Sequence, residues 1–147
     1  MSSWPRLVIG TILLFIGAGY GYLGWAVETC MSGQANALLT SGVVALVANV
    51  LAWLMLGRRV PSKLVLFVAA LPAVAALIYS SSTLQLAFGY LIQGQGACAL
   101  ISADEGAGVD GRETLFIFVW LLVCASFWGG LIPVLRRAIT VWKESRA

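Results

Sequence analysis

The sequence predicts an all-α integral membrane protein: a compact bundle of four transmembrane helices, both termini cytoplasmic, with a long outer segment between helices 3 and 4. Three observations carry that prediction. No charge occurs between Lys63 and Asp104, three further charge-poor apolar stretches accompany that run, and the cations cluster in the segments between and beyond them. A stretch of about 20 apolar residues crosses the hydrocarbon core as a helix. With 61% of residues apolar and 10% charged, a soluble domain would expose more apolar surface than it could bury, so lipid has to cover it.

The crossings are read at about 7–27, 37–57, 64–83 and 115–137, with an outer loop at 84–114, all in a single polytopic domain of 1–147. The first stretch is longer than a signal-peptide core, and Trp25-Ala26-Val27-Glu28 offers no small-x-small cleavage site, so it stays as helix 1. Val27-Glu28-Thr29-Cys30 lacks the small residues that lipoprotein processing needs, and Cys30 is read as unlipidated. The uncharged run 64–103 taken as one helix would measure about 60 Å, twice the hydrocarbon core. Ser80-Ser81-Ser82-Thr83 and Gln85 therefore mark the exit of helix 3. Residues 84–103 are left open between a helical extension, a surface hairpin and a shallow re-entrant loop.

Orientation follows from the cations, which are retained on the cytoplasmic side. Arg6 precedes helix 1, Arg58, Arg59 and Lys63 fill the second turn, and Arg136, Arg137, Lys143 and Arg146 follow helix 4. Arg112 alone lies in an outer segment, and a fifth crossing would move the last four cations outside. The net charge of +3 is thus a topological signal for a bacterial inner membrane and not a nucleic-acid footprint. Arg136, Arg137, Trp142 and Lys143 also suit a tail resting on anionic headgroups.

Helices in lipid associate by close packing, so small residues mark their contact faces. Gly10, Gly17, Gly21 and Gly24 form such a seam in helix 1, and Gly42, Ala45, Asn49 and Ala52 in helix 2. Ala69, Ala73, Ala76 and Ser80 do so in helix 3, and Ala125 and Gly129 in helix 4. These four seams predict a bundle with little room for a central pore, with Gly17 and Gly21 serving packing within the monomer before dimerisation. Gly17-Ala18-Gly19-Tyr20-Gly21 lies inside an uninterrupted apolar stretch, unlike the extended carbonyl-lined filters of potassium channels. Asn49 is the main polar side chain at mid-depth, with Thr11, Ser41 and Ser126, and is read as interhelical glue. Pro72 and Pro133 loosen helices 3 and 4 locally.

Outside the membrane, the topology puts Cys30 and Cys98 in the two outer loops and Cys124 in helix 4. In an oxidising periplasm a Cys30–Cys98 bridge is expected, leaving Cys124 a buried thiol. This layout resembles the quinone-linked disulfide-generating membrane proteins, whose relay needs neighbouring thiols, commonly Cys-x-x-Cys. With one cysteine per loop the chain departs from that motif, and the bridge is read as structural. Asp104, Glu105, Asp110 and Glu113 sit among glycines at a spacing foreign to the EF-hand, and are read as a solvated turn, with a calcium ion or a basic partner as the alternative ligand. Glu113 also suits the positive end of helix 4.

With no His, no carboxylate inside a crossing and no nucleophile or metal motif, the sequence predicts neither an enzyme nor a bound cofactor. The expectation is a non-catalytic inner-membrane interaction protein, of the immunity-protein or accessory-subunit type. Its partners are the lipid bilayer and another membrane protein or a secreted membrane-inserting toxin, with homo-oligomerisation as a further option. The competing class is a small oligomeric channel or transporter, favoured by Asn49, the two prolines and the segment around Gln93 to Gly96.

Overall fold

Each of the four apolar stretches is helical in the computed structural model. It describes residues 4–26, 35–57, 60–94 and 111–144, the side chains of 24–26, 35–38 and 111–113 excepted. The helices are α1 (Trp4–Ala26), α2 (Ala35–Leu56), α3 (Ser62–Gln93) and α4 (Gly111–Glu144), and no strand occurs among the described residues. All four are long and apolar enough to cross a membrane. α1 packs on α2 and α3, and α4 packs on the same two, so that the helices follow the order α1, α2, α4, α3 around the bundle. Gly10 sits against Leu56, and Gly17, further along α1, sits against Asn49 and Ala45. That register makes α1 and α2 antiparallel.

The core combines small residues with large rings. Ala45, Ala52, Ala69 and Ala76 are buried beside Leu14, Tyr79, Val123 and Phe127. The space the alanines leave is filled by rings set edge to face. Trp53 meets Phe127 at 5.9 Å and 72°, and Phe127 meets Trp128 at 5.4 Å and 82°. Such pairs add roughly 0.5–1.5 kcal/mol beyond their buried area. The opposite faces are apolar as well, with Phe67 82% and Leu54 71% exposed.

α3 departs from the expected exit at residues 80–83 and continues unbroken to Gln93. Two of the hydroxyls there bond to their own helix: Ser81 Oγ donates to the Ile78 carbonyl at 2.8 Å and Thr83 Oγ1 to the Tyr79 carbonyl at 2.7 Å. Of the three alternatives for this region, residues 84–93 take the helical extension. The helix stops at Gly94, which adopts φ 66° and returns its N–H to the Gly89 carbonyl, a left-handed cap that glycine adopts without steric cost. α4 likewise begins at Gly111 and reaches Glu144, beyond the 115–137 expected at both ends. Pro72 and Pro133 lie inside α3 and α4 without ending them.

Candidate functional site

Gly10, Gly17, Gly21 and Gly42 are all buried, and each is closed on by a side chain of a neighbouring helix. A Cβ on Gly10 would stand 2.6 Å from Leu56 Cγ, one on Gly21 2.8 Å from the Tyr79 ring, and one on Gly42 2.8 Å from Val119. On Gly17 it would overlap the Asn49 amide. Ala45, Asn49, Ala52 and Ala76 are wholly buried, Ala69 nearly so, and Ala73 half-buried against the core. Gly24 lies in α1, but its surroundings fall outside the described residues.

The seam expected in the fourth helix is corrected: Ala125 and Gly129 are exposed, and nothing approaches Gly129. Gly130 is the packed glycine instead, lying directly on the pyrrole ring of Trp53. The signal was present in the spacing of Val123, Phe127, Gly130 and Val134, which repeats at four, three and four residues on one helical face.

At mid-depth these seams enclose a polar layer. Asn49 Nδ2 donates to Ser126 Oγ at 3.4 Å, and that hydroxyl donates in turn to the Val123 carbonyl at 2.8 Å. Trp128 Nε1 donates to Ser80 Oγ at 2.9 Å. Asn49 Oδ1, Tyr79 OH, Trp53 Nε1 and Trp120 Nε1 are buried without a hydrogen-bond partner. Cys124 is a free, buried thiol in the same core. Sequence reasoning found Asn49 and Ser126 but not the three rings, whose polar atoms make them amphipathic core residues. A small pocket among Thr83, Leu86, Phe116, Ile117 and Trp120 has about 10 Å³ of room, at most one water in size. Among the described residues no group of three His, Cys, Asp or Glu could hold a metal ion.

At the end remote from Arg6, α3 overhangs α1 and forms, with the first turns of α4, a spur beside α2. Gly21 faces Tyr79, and from that level α1 runs five more residues while α3 runs fourteen. At 1.5 Å per residue α3 outreaches α1 by about 13 Å. The first turns of α4 travel with it: Ala87 and Ile117 form a small core flanked by Tyr90, Phe116 and Leu121, and the Tyr90 and Thr114 hydroxyls share a hydrogen bond. Outward, α3 presents Leu84, Phe88, Leu91 and Ile92, between 56% and 70% exposed. Their spacing of four, three and one places them in one stripe.

Cys30, Cys98, Asp104, Glu105 and Asp110 lie outside the described residues, as does the side chain of Glu113, whose backbone belongs to the first turn of α4. Comparison with protein-family models, with curated proteins and with solved structures gives no match to this chain.

Proposed function

We propose that this chain is a non-catalytic, multi-pass protein of a bacterial inner membrane that binds another membrane protein or a membrane-inserting toxin, in the manner of an immunity protein or accessory subunit. The α3–α4 spur carries this reading. In it α3 passes the described end of α1 by about 13 Å, packs on the first turns of α4 and turns an apolar stripe of Leu84, Phe88, Leu91 and Ile92 outward. Apolar anchors at this spacing are one of the recurrent ways in which a helix seats itself in a groove or on a second helix.

Arg6, Lys63, Arg136, Arg137 and Lys143 gather at the opposite end of the bundle. Cation retention makes that end cytoplasmic and both termini internal, so the spur faces the periplasm, where a secreted toxin or a neighbouring subunit arrives.

Affinity purification from native membranes in a mild detergent tests this directly. The wild-type chain is expected to retain a stoichiometric second protein, and Phe88→Ser/Leu91→Ser to lose it while eluting at the same position in size-exclusion chromatography. Recovery of a homogeneous homo-oligomer alone would instead favour the channel or transporter class. Asn49→Leu, tested for solute flux in liposomes, then becomes the informative variant.

A further inference from the structure

At the basic end of the bundle a groove of about 560 Å³ opens between α1, α2 and α4. Its walls are Trp53, Leu54, Met55, Gly130, Pro133 and Val134, with Arg6 and Arg137 also lining it. The volume falls in the range of small-molecule sites. The chemistry is divided: an apolar floor of helix side chains, and two arginines from different helices.

Neither guanidinium is supplied with a carboxylate by this groove. Glu144 is the one acidic residue whose side chain is described, and it lies about two turns beyond Arg137 and outside the lining. Gly130 contributes by its size, because it lets the Trp53 indole lie flat against α4. The groove is bounded by Leu54, whose side chain is 71% exposed, so the floor continues onto the outer apolar face of the bundle.

We propose that this groove binds one acidic phospholipid from the surrounding bilayer, with its phosphate held between Arg6 and Arg137 and an acyl chain running along Trp53 and Leu54. Charge complementarity selects the headgroup, since guanidinium groups bind phosphate oxygens bidentately. The apolar wall selects a ligand with a hydrocarbon tail over a soluble phosphate. Basic pockets between transmembrane helices at the cytoplasmic side are suited to such headgroups. Because the site joins the start of α1 to the end of α4, occupation clamps the two helices that do not otherwise pack side by side. The proposal is independent of what the spur binds.

Native mass spectrometry of delipidated protein in mild detergent, titrated separately with phosphatidylglycerol, phosphatidylcholine and inorganic phosphate, provides the test. One phosphatidylglycerol is expected to stay bound, and Arg6→Gln/Arg137→Gln to weaken it about thirtyfold, at about a factor of five per cation. Arg136→Gln/Lys143→Gln removes the same charge from residues outside the groove and is expected to bind like wild type. Circular dichroism checks that both variants retain their helices. Equal retention of phosphatidylcholine, or equal loss in the two double variants, would overturn the proposal in favour of diffuse attraction. Full competition by inorganic phosphate would overturn it in favour of a soluble anion.

Discussion

Gly17 and Gly21 lie one helical turn apart on α1 and meet different helices, Asn49 of α2 and Tyr79 of α3. A side chain at either position has to displace a ring or a buried amide, so Gly17→Ala and Gly21→Ala are each expected to cost about 1–3 kcal/mol. Gly19→Ala, where nothing lies within 4 Å, provides the neutral comparison, read by thermal unfolding in detergent. Tyr79 is wholly buried at the centre of the core. Tyr79→Ala, which empties that space, is expected to lower stability by about 3–5 kcal/mol. Asn49 and Ser126 are joined by one long hydrogen bond. A double-mutant cycle between them should yield a coupling of about 0.6 kcal/mol, the usual size in lipid. Asn49 stands out in a sequence because a lone amide in an apolar run is rare; Tyr79, Trp53 and Trp120 do not, because an aromatic residue in such a run reads equally well as lipid-facing.

The four helices were legible because apolar length is a strong signal, and the seams of α1 and α2 because glycines and alanines recur there at three, four and seven residues. Helix ends were harder to read. Four consecutive hydroxyl residues at 80–83 look like an exit into water, yet Ser81 and Thr83 donate to their own helix, and Ser80 receives the Trp128 indole. Hydroxyl composition does not distinguish these outcomes; only the neighbour across the interface does. The same applies to Gly129 and Gly130, about 100° apart around α4, the first open and the second packed on Trp53. The spur was legible only as an uncharged outer segment, since its packing depends on Tyr90 meeting Thr114. Thr114→Val is expected to speed hydrogen exchange of the 84–93 amides while leaving those of 65–80 unchanged. Gly94→Ala, which forces a Cβ into the left-handed cap, should fray the last turn of α3 at a cost of about 1 kcal/mol.

At the scale of the whole molecule two ends of different character are joined by the bundle: a basic end carrying Arg6 and Arg137, and at the other an α3 overhang whose outer face is the apolar stripe of Leu84, Phe88, Leu91 and Ile92. Topology is checked by thiol labelling of Ser62→Cys and Gly108→Cys in intact cells, which should react on opposite sides. Material exported with this topology should also shift on a gel when reduced, through the expected Cys30–Cys98 bridge between the two outer loops. The central claim is that the apolar stripe of the spur meets another protein. Its most direct test is a photocrosslinking amino acid placed at Ile92, 70% exposed on the spur, and in parallel at Phe67, 82% exposed on the bundle flank, followed by irradiation of living cells. The account predicts a discrete adduct with a second protein from Ile92 and none from Phe67. Lipid adducts alone at both positions, or an adduct only with another copy of this chain, would contradict it.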